Sequence, residues 1–120
     1  MKKSVSLIVI MLAVVLSFTT TAFAAFSYNS GNITLSGGTI KLGQGVISNS
    51  GKTYDTLTVK LYRGTTLVSI KTITYAPGQW TYPGYAGAPE IILATGQPAG
   101  QYRYELSASG NWHVLAGIHN

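Results

Sequence analysis

The chain contains no cysteine. That excludes the disulfide framework on which many small exported domains depend, a thiolate metal site and a lipid-bearing cysteine anchor. Any core must be held by packing alone. Carboxylates are nearly absent as well: three Asp or Glu residues stand against eight Lys or Arg and two His in 120 residues. Hydrolytic enzymes need paired carboxylates, a metal, or a nucleophile beside a base. Here Asp55, Glu90 and Glu105 are the whole supply, and each reads as a solvated charge or a strand-edge gatekeeper. A glycosidase pair of Asp55 with either glutamate is the one carboxylate arrangement left open. His113 and His119 are six residues apart. On one regular strand that is about 20 Å, whereas zinc donors each lie about 2 Å from the ion. No metal and no cofactor is therefore expected. There is no G-x-S-x-G motif, no helix for a glycine-rich phosphate loop to open, and no basic run to attract nucleic acid.

Long apolar runs are also missing, with one exception. Leu7 to Leu16 reads LIVIMLAVVL behind Lys2 and Lys3 and ahead of Ala22-Phe23-Ala24. Ten residues are too few for a good membrane span, which needs about 20. A basic start, a short apolar run and an A-x-A site together describe a secretory signal peptide, short and lysine-led in the bacterial style. Cleavage between Ala24 and Ala25 divides the chain into a 1–24 leader and a 25–120 domain of 96 residues. Lys2 and Lys3 leave with the leader, so six basic residues face three acids and the net charge falls from +5 to +3. The expected destination is the extracellular space, or the periplasm of a two-membrane bacterium. No membrane span is expected in the cleaved chain.

What remains is strand language. All fourteen glycines and all four prolines fall after the leader, and between them lie short runs rich in Thr, Val, Ile, Leu and Tyr. Leu57, Val59 and Leu61 alternate with Thr56, Thr58, Lys60 and Tyr62, a period of two with one dry face. Arg63 to Thr66 turns the chain into a second strand, Leu67 to Tyr75. There Val68 and Ile70 are expected to face the core, with Ser69 and Lys71 facing out. In Gln101 to Ala108 the dry face is Tyr102, Tyr104, Leu106 and Ala108. After the Ser109-Gly110-Asn111 turn it is Trp112, Val114, Ala116 and Ile118. Ile33 to Leu35 and Thr39 to Leu42 flank Ser36-Gly37-Gly38, as a tight hairpin or one strand kinked at glycine. Val46 to Ser48 and Glu90 to Ala94 complete about seven short antiparallel strands, the pattern of an all-β single-domain sandwich.

Pro98-Ala99-Gly100-Gln101-Tyr102-Arg103-Tyr104 resembles the approach to the penultimate strand of immunoglobulin-like and fibronectin-type-III-like sandwiches. The resemblance implies that Tyr102 is a corner tyrosine whose hydroxyl reaches back to the upstream backbone. It implies that Tyr104 takes the place of the second cysteine of antibody domains. The chain departs from that pattern in lacking the cysteine pair and a tryptophan in its third strand. The resemblance implies a fold and no activity.

One segment does not read as scaffold. Ala76 to Pro89, APGQWTYPGYAGAP, carries three prolines, three glycines and the aromatics Trp80, Tyr82 and Tyr85. A loop of this length in a small domain is usually functional or disordered. Trp80 and Tyr82 project to the same side of an extended stretch. The rings either plug an open end of the core or form a surface for a sugar or a protein partner, where Trp and Tyr carry much of the binding energy. With catalysis poorly supplied, the leading expectation is a secreted, non-catalytic binding or structural module that contacts protein or cell-wall polysaccharide. A secreted cationic antimicrobial or membrane-active protein is the alternative, although no basic amphipathic segment is present.

Overall fold

The computed structural model describes residues 26–120; the leader and its cleavage site at Ala24 and Ala25 lie outside the described residues. Among the described residues there is no helix, and every strand pairing is antiparallel. Eleven strands follow one another: β1 (Phe26–Asn29), β2 (Ile33–Leu35), β3 (Gly38–Gly43), β4 (Ile47–Asn49), β5 (Asp55–Arg63), β6 (Thr66–Tyr75), β7 (Trp80–Thr81), β8 (Ile91–Gln97), β9 (Gly100–Ala108), β10 (Trp112–Val114) and β11 (Gly117–His119). They occupy seven lanes, because β1/β2, β3/β4, β7/β8 and β10/β11 are interrupted lanes.

One layer runs β1/β2, β9, β5, β6. The other runs β10/β11, β3/β4, β7/β8, its two ends forming separate three-stranded sheets. Ser30 mends the break in the first lane. Its amide donates to the Tyr104 carbonyl at 3.0 Å, and its hydroxyl accepts from the Tyr104 amide at 2.8 Å. A sequence with apolar residues at every second position can bury only one face of a strand, and the two layers bury those faces against each other. Leu57, Val59, Leu61, Tyr102, Tyr104, Leu106 and Ala108 come from the first layer, and Ile40, Leu42, Ile47, Leu93, Trp112, Ala116 and Ile118 from the second. Each fully buried Leu, Ile or Val contributes roughly 1.5–3 kcal/mol relative to exposure. No cross-link is available to share that task.

Three local expectations are corrected. In β6, Val68 packs on the core but Ile70 lies outside, 51% exposed. Leu61 pairs with Ser69 and Tyr62 with Leu67, so Val68 is an extra residue at a bulge. An extra residue shifts the two-residue alternation by one, which brings Ser69 onto the side of Leu61 and sends Ile70 outward beside Lys60, while Lys71, opposite Val59 in register, stays exposed as expected. Second, the Ser36-Gly37-Gly38 segment is no hairpin. It is a corner where the chain leaves β9 and enters the other layer: β2 pairs with β9, whereas β3 pairs with β8 and β11. Gly37 has φ +93°, and a Cβ there would fall 2.6–2.9 Å from the backbone of Gln97, Pro98 and Ala99. Third, the stretch 76–89 is not one loop, since Trp80–Thr81 pairs with β4.

Candidate functional site

The aromatic segment is built outward from β6. After Tyr75 the chain turns: the Ala76 amide donates to the Gln79 side-chain carbonyl at 2.9 Å, and the Gln79 amide to the Ala76 carbonyl at 3.0 Å. The turn is fastened to β4, where the Asn49 amide donates to the Gln79 carbonyl and the Gly78 amide to the Asn49 carbonyl. β7 then places Trp80 opposite Ser48, which in turn faces His113 on β10. Ile47 and Asn49, the neighbours of Ser48, are buried, so this row lies on the outer face of the second layer.

Tyr82 to Ala88 folds on itself. The Tyr85 amide donates to the Tyr82 carbonyl at 3.1 Å, the Ala88 amide to the Tyr85 carbonyl at 3.0 Å, and the Gly84 amide to the Ala88 carbonyl at 2.9 Å. The Gln44 amide holds the buried Pro83 through its carbonyl at 2.9 Å. Gly84 sits at φ +84°, a backbone state open to glycine, and a Cβ there would press on the Glu90 side chain at 3.1 Å. The loop's shape is thus fixed by its own hydrogen bonds. The rings of the segment stay outside: Trp80 is 64% and Tyr85 65% exposed, while Tyr82, 39% exposed, packs at a tilt of 47° against Tyr85 with centroids 4.9 Å apart. The core tryptophan is Trp112, 7% exposed, with its ring 5.6 Å from Tyr75. The three segment aromatics therefore do not plug the sandwich.

Beneath the loop lies a cleft of about 330 Å³ lined by Lys41, Gly84, Gly87, Ala88, Glu90 and Ile92. Lys41 sits between His119 on β11 and Ile92 on β8 in strand register. Glu90 is hydrogen-bonded to His119. It lies over Gly43, where a Cβ would fall 2.7 Å from its carboxylate. Glycines at 43 and 84 thus make room for the Glu90 side chain. Reading strands one at a time could not show this, because the two glycines serve a residue on another segment.

The other acids are also engaged. Asp55 accepts from the Trp112 indole Nε1 at 2.7 Å, the Gly110 amide at 2.8 Å and the Ser109 hydroxyl at 2.8 Å. Its partial burial would raise the carboxyl, but these donors outweigh it and hold the pKa below its ordinary 3.8. Glu105 accepts from Arg103 at 2.9 Å, and that guanidinium lies 4.1 Å from the centre of the Tyr62 ring. The three carboxylates sit on three different segments, each held by its own donors. His113 is exposed on the outer face, and among the described residues no cluster of three or more His, Asp or Glu could hold a metal ion. Tyr102 is fully buried and its hydroxyl donates to the Pro98 carbonyl at 2.6 Å. Tyr104, buried against Tyr28, has its hydroxyl pushed up to about 12 by that burial and by the neighbouring tyrosine.

Comparison with family models, with curated proteins and with solved structures returned no match.

Proposed function

We propose that the chain is an exported, non-catalytic binding or structural module. On this reading residues 25–120 act at the cell surface or in the extracellular space, touching a polysaccharide or protein through the outer face of the second layer. The observation that carries the proposal is the exposure of Trp80 on β7 and of Tyr85 on the adjoining loop, whose own hydrogen bonds fix its shape. Large rings left in water without a packing role are the usual anchors of a contact surface. The engagement of all three carboxylates by protein donors also favours binding over carboxylate chemistry.

The finer fold reading, an immunoglobulin-like sandwich, is supported by the Tyr102 to Pro98 hydrogen bond. It is supported too by lane pairings: lanes two and five, β3/β4 with β7/β8, and lanes three and six, β5 with β9, are neighbours. An immunoglobulin domain keeps the first lane with two and five and the last with three and six. Here β1/β2 joins β9, β10/β11 joins β3/β4 and β6 joins β5, so the first and last lanes are exchanged and the fourth lies beside the third.

The test is co-sedimentation of the protein lacking residues 1–24 with isolated cell walls, alongside a pull-down from culture supernatant. Trp80→Ala with Tyr82→Ala should weaken retention about tenfold or more, as removal of aromatic anchors does, with the melting temperature little changed. A collapse in stability with retention intact would contradict the proposal.

A further inference from the structure

We infer that the ligand is an anionic polysaccharide, bound with a charged sugar unit in the Lys41 cleft beside the Tyr82–Tyr85 pair. The inference rests on the binding-module reading and names its ligand class. Its first support is the disposition of charge. Glu90 is bonded to His119, Glu105 to Arg103, and Asp55 to three donors of the β9–β10 turn. Lys41, Lys52, Lys60, Lys71 and Arg63 make no ion pair among the described residues. The donors on Asp55 are neutral and leave its charge standing, but five of the six basic residues of 25–120 make no ion pair among the described residues, and the net charge of +3 favours an anionic partner.

Position selects among those cations. Lys41 is the one of these five that lines the cleft, which it shares with the His119-bonded Glu90, and it is half-buried there and less screened than a fully exposed lysine. The 330 Å³ cleft is at the small end of ligand pockets, a fit for one unit of a polymer. Its wall of Gly84, Gly87 and Ala88 lets a polar ring approach the backbone. The rings of Tyr82 and Tyr85 stand on the loop that forms this wall. Outside the cleft, Trp80 continues the same face with Ser48 and His113 in its row. Separate aromatic platforms with polar groups between them suit an extended glycan. A protein partner would favour a continuous apolar centre with charge pushed to the rim, and here the charge lies inside the cleft.

The experiment measures binding of the protein without residues 1–24 to polygalacturonate, to neutral dextran, and to phosphatidylglycerol–phosphatidylcholine vesicles. The expected result is binding to polygalacturonate alone. It should weaken steeply as salt rises from about 0.01 M to about 1 M, which shortens the Debye length from roughly 30 Å to 3 Å. Lys41→Met should weaken it about three- to fivefold, the range of a single partly screened ion pair, and Tyr85→Ala about tenfold. Lys60→Met removes the same charge from the opposite layer, where Lys60 pairs with Glu105 in register, and should leave affinity unchanged. Equal losses for Lys41→Met and Lys60→Met would overturn the cleft assignment. Binding to dextran or to vesicles in place of polygalacturonate would overturn the ligand class while leaving the module reading standing. Failure to bind polygalacturonate, together with failure on cell walls and supernatant, would overturn both.

Discussion

Two polar residues, Asp55 and Asn49, carry joints that the apolar core cannot. Asp55 reads in sequence as a solvated charge at a strand start, yet it ties the β9–β10 turn and the Trp112 indole to β5. Its partners are 54 to 57 residues away, and nothing local marks them. Asn49 is fully buried: its side-chain amide donates to the Thr53 and Tyr75 carbonyls at 2.9 Å and its oxygen accepts from the Gly51 amide. Its neighbours, Ser48, Ser50 and Gly51, are turn residues, and nothing in that run signals burial. Asp55→Ala should cost about 2 kcal/mol near pH 7, because it leaves the Trp112 indole nitrogen without its partner. Since the folded-state pKa lies below 3.8, the carboxylate's contribution is present above that value and is lost as pH falls through the folded pKa. Chemical denaturation at pH 7 and pH 2.5 checks this: the gap between parent and Asp55→Ala should narrow in acid, and a constant gap would contradict the role.

At the level of strands, legibility followed regular alternation. β5, β9 and the β10/β11 lane present the faces that a period of two dictates, because each buries one side against the opposite layer and a slip would expose it. β6 escaped that rule through a single bulge, and no residue type signals the extra position; Ser69 consequently places a hydroxyl with no hydrogen-bond partner on the core side. The short β1 and β7 escaped because each depends on a partner strand more than on its own sequence. The Gly37 corner was legible as a glycine break but not as a change of layer. Gly37→Ala should destabilise by about 3 kcal/mol, combining a strained positive φ with backbone overlap at 2.6 Å. Gly31→Ala, where a Cβ would meet nothing within 4 Å, should change stability little. Thermal unfolding of the pair decides the matter; equal melting temperatures would mean the corner is not built as described.

At the scale of the whole molecule, the shortages in the sequence set the outcome. With no cysteine and three acids, the chain folds as an all-β sandwich on apolar packing, and its acids end up serving its own turns and edges. The aromatic segment was legible as a candidate surface from its composition. Which rings stay outside was not, because that depends on β7 pairing with β4 and on the loop bonding to itself. The cleft was hidden for a similar reason: Lys41, the Gly84–Ala88 loop and Glu90 come from separate segments that only the assembled sheet brings together. The central claim, that the exposed aromatic face is the contact surface, is tested most directly by acrylamide quenching of tryptophan fluorescence with and without solubilised cell-wall polymer. The free protein should show one accessible tryptophan, Trp80, and one protected, Trp112, and saturating polymer should remove the accessible component. Bound protein in which Trp80 is quenched as readily as in the free state would contradict the account.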